Sequence, residues 1–290
     1  MNYTYTLIYP NNYQPISVSE LLQQLLVPRK WRHLLRINKS VTINGKYRNF
    51  NEVVFPGDSI QLKLNFIESH QQQYPASGSL PDIIYEDSDL LIINKKPGQK
   101  THPNLFETDT ALNDCATYLN ASPFIVHRLD MLTRGLLLVA KNPAVVPSLN
   151  RQLITKNFKR DYLAIVANPH KLLSKGTISF PIAQDPTDQR KRCIAPDGLK
   201  AITHYQVLQK DATQALIKLS LETGRTHQIR VHLAAIGCPI IGDPLYNQEF
   251  REGEELQLQA YQISLTKPFT FKKLKVALPK SQRLDQVNKK

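Results

Sequence analysis

The stretch HRLDMLTRGLLLVAKN (residues 127–142) joins a polar segment to the apolar run LLLVA. A second apolar run, FIV (residues 124–126), precedes it, so both flanks favour strands and the polar residues between them favour a loop at one edge of a sheet. Asp130 lies in this loop, between Arg128 and Gly135, which lets the backbone turn. An ionised carboxylate there can act as a nucleophile. Most Asp residues in such loops, however, are hydrated or cap a turn, so this stretch alone predicts a loop and not an activity.

Strand patterns continue outward on both sides of this stretch. IIYED and LLIINKK flank residues 87–89 as in a hairpin, and later candidates are YLAIV, GTISF, ITHYQVL and ALIKLSL. Helical patterns are fewer: residues 148–154, and residues 226–236 with Thr226 as cap and Gly237 as terminator. The sequence therefore predicts an α+β fold built on a mixed, mainly antiparallel sheet.

The clearest change in composition is IESHQQQYPASGSLPD (residues 67–82), which is rich in Gln, Ser and Pro. It lacks hydrophobic periodicity and is typical of an exposed linker. We therefore predict a small N-terminal domain (residues 1–66), a linker (residues 67–81), a large domain (residues 82–282) and a flexible basic tail (residues 283–290).

The N-terminal domain has a clear αβ pattern. Ser17 and Glu20 are spaced as a capping box, and Pro28 introduces a second helix. A strand at 41–43, a turn at Asn44-Gly45 and the strand SIQLKL follow. One face of the second helix carries most of its basic residues, Arg29, Lys30, Arg32, Arg36 and Lys39, opposite Trp31, Leu34 and Leu35.

The order of these elements, with VTINGK followed by VFPGDSIQL, resembles the S-four-like RNA-binding module over residues 16–64. The resemblance implies that the basic helix face binds phosphates. The alternative is a small αβ domain whose basic face is only hydrated.

Composition agrees with a nucleic-acid partner. The chain of 290 residues has a formal net charge of +13, which favours a polyanion, and its 41% hydrophobic content allows a sizeable core. Cys115, Cys193 and Cys238 form no CxxC pair, so we expect a reduced, cytoplasmic protein without a thiolate zinc site. We see no secretory signal, no membrane-spanning run and no coiled-coil pattern, and we expect a monomer with no membrane partner.

Five segments in order resemble the RluA-type pseudouridine synthases over roughly residues 82–270. HRLDMLTRGLLLVAK is similar to the family motif HRLDxxTSGLLLxAK, and KRDYLAIV to KxYxA. LETGRTHQIRVHLAAIGCPIIGDPLYN (residues 221–247) is the longest match. NKKPGQKTHP and AQDPTDQRKRC are weaker ones. The resemblance implies an enzyme that isomerises uridine in a structured RNA after turning the nucleotide out of its stack.

The resemblance also implies roles for particular residues. Asp130 is expected to be the nucleophile, Tyr162 to stack on the base, and Arg230 to pair with Asp130, with Arg225 as the second candidate for that pairing. Arg134 stands where the motif commonly has Ser and either contacts a phosphate or pairs with a carboxylate. The expected RNA contacts in this domain are Lys95, Lys96, His102, Arg128, Arg134, Arg190 and Arg225.

No organic cofactor and no metal are expected, because the isomerisation needs no redox step and no group donor. The resemblance implies a ribosomal or transfer RNA as target, and the motifs do not decide which; the N-terminal module and the positive charge favour large-subunit ribosomal RNA. The sequence leaves open whether the aspartate attacks the anomeric carbon, adds to the uracil ring or assists a glycal route.

Two other classes of protein are compatible with parts of this sequence. A metal-dependent RNA hydrolase could use His127, Asp130, His227 and His232, but His227 and His232 are five residues apart and fall on different helix faces. A non-catalytic RNA-binding or ribosome-assembly factor would need the basic helix and no particular residue at position 130.

Overall fold

The computed structural model describes residues 2–68 and 73–287. The N-terminal part contains β1 (Tyr3–Ile8), β2 (Ile16–Ser17), α1 (Val18–Gln24), α2 (Arg29–Ile37), β3 (Val41–Ile43), β4 (Lys46–Tyr47), β5 (Val53–Val54) and β6 (Ser59–Leu64). Its main sheet has the order β1-β6-β3-β4, and β2 pairs with β5. The Ser17–Glu20 capping box and the turn at Asn44-Gly45, where both residues have positive φ, confirm the predicted pattern.

The larger part is built on a ten-stranded sheet. Its elements are β7 (Ile83–Glu86), β8 (Leu90–Lys95), α3 (Ala111–Leu119), β9 (Phe124–Ile125), β10 (Arg134–Ala140), α4 (Val146–Ile154), β11 (Lys159–Ala167), β12 (Lys175–Ile178), β13 (Ile182–Gln184), β14 (Arg192–Ile194), β15 (Thr203–Lys210), β16 (Gln214–Leu221), α5 (Gln228–Ala235), β17 (Leu258–Thr266), β18 (Lys273–Ala277) and α6 (Leu284–Val287). Short 3₁₀ turns occur at Pro169–Lys171 and Lys280–Gln282.

The large sheet runs β12-β15-β16-β11-β17-β10-β8-β7, with β18 beside β17 and β9 beside β10. Within the described residues, its strand pairs are antiparallel except for β10 with β17. The predicted α+β class with a mainly antiparallel sheet is therefore confirmed. None of the helices in the described ranges has the length and apolar character needed to cross a membrane.

Strand β10 is buried on both faces of the sheet. Leu136 and Leu138 point into one apolar cluster, and Leu137 and Val139 into another on the opposite face. This double burial explains the unbroken apolar run LLLVA, because a strand alternates its side chains between two covered faces.

The N-terminal part covers one of these faces. Its core side chains, among them Leu7, Leu21 and Leu35, belong to the same apolar cluster as Leu136 and Leu138. At the contact, the Tyr5 ring lies 4.4 Å from the Phe269 ring between centroids, and the Tyr5 hydroxyl donates to Asp89 Oδ1 at 3.0 Å. The two predicted domains thus share one core, while their exact boundaries stay a prediction.

The predicted linker is only partly exposed. Ile67 and Tyr74 are buried, and the Tyr74 amide donates to Ser122 Oγ at 2.8 Å. The prediction of an exposed segment was wrong for these two residues, because their large apolar side chains pack in the core, whereas Leu80 in the same stretch is exposed. Residues 69–72, inside the linker, lie outside the described residues.

The first residues of the tail that was predicted to be flexible, from residue 283, form the short helix α6. Leu284 opens α6 and is buried, and its amide donates to Gln259 Oε1 at 2.8 Å. The prediction was wrong for this part because one apolar anchor fixes an otherwise polar stretch. Residues 288–290 lie outside the described residues.

Gly135 sets the place where the parallel strands β10 and β17 meet. Its φ is +110°, and a Cβ built on it would lie 2.1 Å from the Ala260 carbonyl oxygen. Ala260 in turn pairs with Tyr162 of β11. This close approach aligns three strands just after the Asp130 loop, and only glycine permits it.

We therefore expect Gly135→Ala to lower the free energy of unfolding by more than about 3 kcal/mol, because it adds a backbone clash to a disfavoured φ. The matched control is Gly45→Ala, at φ +80° with no atom within 4 Å of the added Cβ. It should cost about 1–2 kcal/mol. Urea unfolding of both variants measures the difference, and equal losses would contradict the role of the close approach.

Candidate active site

The loop between β9 and β10 is held in a fixed shape by backbone contacts. The Thr101 hydroxyl donates to the Leu129 carbonyl at 2.8 Å and accepts from the Leu129 amide at 3.1 Å. The Thr133 amide donates to the Asp130 carbonyl at 3.1 Å, which closes a tight turn. Asp130 is thereby presented from a rigid segment with 20% of its side chain exposed.

Lys95 supports the same loop from below. Its ammonium donates to the carbonyls of Lys96 at 2.8 Å, Gln99 at 2.7 Å and Met131 at 3.0 Å, which uses all three N–H groups. Burial lowers the pKa of Lys95 to about 7, and the Asp130 carboxylate opposes that shift. Because Lys95 is only 1% exposed, its predicted RNA contact was wrong. This lysine braces the loop that carries Asp130.

A cavity of about 490 Å³ opens above this loop. The structure brings five of the sequence-predicted residues to its wall, namely Asp130, Tyr162, Arg230, Arg128 and Arg225. Arg160, His227 and Thr133 also line it. A cavity of this size suits a single nucleoside-sized group.

Arg230 lies between two carboxylates. Its Nε donates to Asp243 Oδ2 at 2.8 Å and its Nη2 to Asp243 Oδ1 at 2.7 Å, and both side chains are buried. Its Nη1 lies 4.0 Å from Asp130 Oδ2. Burial lowers the pKa of Arg230, but the bonds to Asp243 outweigh it and the net shift is upward. Arg230 thus faces Asp130 as a permanent cation, and its firm ion pair is with Asp243.

The helix that carries Arg230 begins later than predicted. Thr226 does not cap it, because His227 adopts a left-handed conformation at φ +56° and the helix starts at Gln228. The Gln228 side chain folds back instead and accepts from the Arg225 amide at 3.0 Å. The predicted stop at Gly237, at φ +76°, is confirmed.

The left-handed turn aims the His227 ring into the cavity. Its Nε2 lies 3.9 Å from Asp130 Oδ2, and its Nδ1 lies 2.8 Å from the Tyr246 hydroxyl. The Tyr246 oxygen also accepts the Arg192 amide proton at 2.8 Å. Burial lowers the pKa of His227, so the ring is neutral near pH 7. A non-glycine residue at positive φ is uncommon, and such strain clusters at functional sites.

Tyr162 forms part of the cavity floor. It sits on β11 with its side chain almost fully buried, and burial raises the pKa of its hydroxyl, so the phenol is neutral. Arg160, two residues earlier on the same strand, also lines the cavity and lowers the pKa of the buried His127 further.

The remaining predicted RNA contacts lie outside the cavity. Lys96 is exposed and His102 is half-buried. Arg134 pairs with Glu255 at 3.3 Å, which is the second of its two predicted alternatives. Arg190 pairs with Asp188 on the surface. In the N-terminal part Arg29, Lys30, Arg36 and Lys39 are exposed, whereas Arg32 is half-buried.

Sequence reasoning missed the supporting residues. Asp243 and Tyr246 fall inside the segment GDPLYN, which was matched but given no role. Asp243 contacts Arg230, 13 residues earlier in the sequence, and Tyr246 contacts His227, 19 residues earlier. A local sequence pattern does not indicate contacts over such separations. Arg160 had a usable signal, because it stands two residues before Tyr162 and therefore on the same face of the strand.

The residues suggested for a metal-dependent hydrolase do not come together as ligands. His232 is buried and its ring nitrogens lie 2.9 Å from Thr203 Oγ1 and 2.9 Å from the Phe180 carbonyl. Across residues 2–68 and 73–287, no group of three or more His, Cys, Asp or Glu side chains is arranged to hold a metal ion.

We expect Asp243→Asn to lower the free energy of unfolding by about 3–5 kcal/mol, because it leaves the Arg230 charge buried without its partner. It should also reduce turnover by releasing Arg230 from its position beside Asp130. The matched control is Asp188→Asn, which removes the surface partner of Arg190 and should have little effect. Urea unfolding and turnover are the measurements, and an unchanged stability of Asp243→Asn would count against the buried pair.

Comparison with known proteins agrees with this geometry. Residues 89–235 match the family model described as RNA pseudouridylate synthase, and residues 5–60 match the N-terminal domain of RluD ribosomal pseudouridine synthase. A Nitrosomonas europaea protein named ribosomal large subunit pseudouridine synthase D is 36% identical, covering 91% of this chain and 81% of its own length. The Bacillus subtilis protein YlyB, an uncharacterized RNA pseudouridine synthase, is 39% identical, covering 71% and 70%.

The fold is also similar to that of a solved structure. Human RNA pseudouridylate synthase domain containing 1 superposes with a TM-score of 0.59 and 27% identity, covering 71% of this chain and 85% of that one. The cavity with its aspartate, tyrosine and arginine, the family match over half the chain and these relatives lead to one conclusion: the chain belongs to the RNA pseudouridylate synthase family and is an RNA pseudouridine synthase.

Proposed function

We propose that this enzyme converts uridine to pseudouridine in large-subunit ribosomal RNA, with Asp130 as nucleophile and the target nucleotide turned out of its stack into the cavity. The observation that carries the proposal is the position of Asp130. Its carboxylate opens onto a nucleoside-sized cavity and lies 4.0 Å from the Arg230 guanidinium.

The surroundings of Asp130 suit a nucleophile. Three backbone contacts and Lys95 fix the loop, so the carboxylate needs little reorganisation before it attacks. Arg230 is anchored by Asp243 and directs one free N–H edge toward Asp130. The same aspartate serves attack at the anomeric carbon, addition to the uracil ring and the glycal route, so these alternatives stay open.

Tyr162 and His227 are suited to hold the base. The neutral Tyr162 ring on the cavity floor offers an aromatic surface, and the His227 ring stands beside Asp130 with its Nδ1 bound to Tyr246. When Tyr246 donates to Nδ1, the proton of the neutral ring sits on Nε2 and faces the cavity. An N–H there can donate to a carbonyl oxygen of uracil while the base rotates.

Extrusion of the target from a folded RNA costs a few kcal/mol of unstacking. Arg128 and Arg225, both exposed at the cavity wall, can offset part of this cost through phosphate contacts. The uracil must be released from the ribose, turned and rejoined through its carbon 5 without leaving, which contacts from the cavity wall to the base favour.

The N-terminal part supports the choice of ribosomal RNA. Four exposed basic residues, Arg29, Lys30, Arg36 and Lys39, lie on or just after α2. The match to the RluD N-terminal domain and the relative named for the ribosomal large subunit point to the same substrate class. An RNA with an extended folded structure can engage this surface and the cavity together, which favours ribosomal over transfer RNA.

The direct test of the chemistry is Asp130→Asn. We expect turnover to fall by at least about 10⁴-fold, because the amide is not a nucleophile, while RNA affinity stays nearly unchanged. Carbodiimide mapping of pseudouridine in total RNA, from cells with and without this gene and with the variant, identifies the target and the loss together. Conversion by Asp130→Asn at a rate close to that of the wild type would contradict the assignment.

Detection of pseudouridine also separates this proposal from the two other classes of protein. With purified enzyme and RNA, conversion of uridine should persist in excess EDTA. A metal-dependent hydrolase would instead cleave the RNA, and this cleavage would stop in EDTA. A non-catalytic binding factor would leave the pseudouridine map identical with and without the gene.

The role of the basic surface is tested by replacing Arg29, Lys30, Arg36 and Lys39 together with Gln. If each contacts a phosphate, the slope of log affinity against log salt should become less steep by about 3, since each contact contributes about 0.7–0.9. The control replaces Lys272, Lys273, Lys275 and Lys280, four exposed lysines at and near β18, for the same change in net charge. Equal slopes for the two variants would contradict a specific role of the N-terminal part.

A further inference from the structure

Residues 102–110 form a compact loop with a closed base beside the active site. The chain leaves from Thr101 and returns at Ala111, whose amide donates to the Lys100 carbonyl at 2.9 Å. The Leu112 amide donates to the Thr101 carbonyl at 3.0 Å. Short surface loops whose ends are joined in this way are frequently functional.

The tip of this loop exposes two large apolar side chains. Phe106 is 94% exposed and Leu105 is 86% exposed, and Leu105 has a positive φ of 42°. A leucine rarely adopts this conformation, and no packing around either side chain compensates for it. The arrangement is unfavourable for the free protein, which suggests that the tip is shaped for a partner.

The shape of the tip is set by polar contacts within the loop. The Asn104 amide donates to Glu107 Oε2 at 2.9 Å, and the Glu107 amide donates to the Asn104 carbonyl at 3.0 Å. Lys100, at the base, forms an ion pair with Glu107. The exposed ring is therefore presented on a defined turn.

The loop is rooted on the segment that holds Asp130. Thr101, at its base, is the residue whose hydroxyl bonds both the amide and the carbonyl of Leu129. His102 is close enough to Arg128 for that charge to contribute to the lowered pKa of the imidazole, after the larger effect of burial. Phe106 is five residues from Thr101, so its Cα lies within about 17 Å of that anchor. The base of the loop thus lies beside the segment that carries Arg128 and Asp130, and an RNA bound at that segment is within reach of the tip.

The charges around this loop favour the RNA substrate as its partner. Exposed cations flank the loop, Lys96 before it and Arg128 across from its base, and both suit a phosphate backbone. The loop itself is acidic, with Glu107 directly after Phe106 and the exposed Asp109 three residues after it, which disfavours a phosphate at the tip and favours the face of a base as the contact. When the target uridine leaves its stack, a neighbouring base loses its own stacking partner.

We propose that Phe106 is a stacking platform for an unpaired nucleobase next to the target uridine. This inference rests on the proposed extrusion of the target, and it adds a contact with the RNA outside the cavity. Such stacking tolerates any base and complements phosphate contacts. Phe106 is thus a positioning residue that binds substrate outside the reacting centre.

The kinetic test compares Phe106→Ala with Phe106→Tyr on an in vitro transcript of large-subunit ribosomal RNA. We expect Phe106→Ala to raise KM about 10-fold, the effect of losing one base–aromatic stack, with kcat nearly unchanged at saturating RNA. Phe106→Tyr keeps the ring and should restore the KM. The matched control is Leu173→Ala, an exposed apolar residue before β12 at the opposite edge of the large sheet, which should leave KM unchanged.

A second readout is independent of turnover. The sequence has one tryptophan, Trp31, so Trp31→Phe with Phe106→Trp places the only indole at the tip. Adding the transcript should quench its fluorescence, and the same RNA should not quench a Trp31→Phe, Leu173→Trp control.

The outcomes separate this inference from the proposed function. An unchanged KM for Phe106→Ala, a loss confined to kcat, or an unquenched tryptophan at position 106 would overturn the stacking role even with an active enzyme. A wild-type protein that modifies no uridine in this transcript would reject the proposed substrate, and the fluorescence would still report whether the tip contacts a base.

Discussion

The site depends on one buried guanidinium that lies between two carboxylates. Arg230 donates its Nε and Nη2 protons to Asp243, and its Nη1 lies 4.0 Å from Asp130 Oδ2. A buried cation without a partner would be costly, so Asp243 makes it possible to keep a fixed positive charge in the interior. Asp130 can then stay partly exposed and accessible to substrate, because it is not the residue that satisfies the arginine.

Much of the fold could be predicted from sequence because local chemistry decides it. The Ser17–Glu20 capping box, the Asn44-Gly45 turn and the run LLLVA each contain their own structural reason within a few residues. Strand β17 was missed although it lies at the centre of the sheet, and its parallel partner β10 is more than a hundred residues earlier. Helix α3 was missed because its box pairs Thr110 with Asn113 and lacks the usual Glu or Gln.

The candidate site, too, was predictable only in part. Asp130, Tyr162 and Arg230 were placed by motif, and the structure brings them to one cavity. Lys95 was misjudged because a lysine in a polar segment is ordinarily at the surface, and only its three carbonyl partners reveal that it is internal. The left-handed conformation of His227 could not be predicted either, since nothing in the sequence THQIR indicates that the helix cap shifts from Thr226 to His227.

The shared core of the two parts has a consequence for how this enzyme selects its target. Tyr5, Asp89 and Phe269 connect the N-terminal sheet with the large part, and one apolar cluster runs through both. The distance between the basic helix α2 and the Asp130 carboxylate is then fixed by the packing of the two parts. In the proposed binding mode, an RNA held by the basic residues of this helix brings to the cavity only a uridine that lies at the matching distance, so the spacing within the RNA fold contributes to selection along with its sequence.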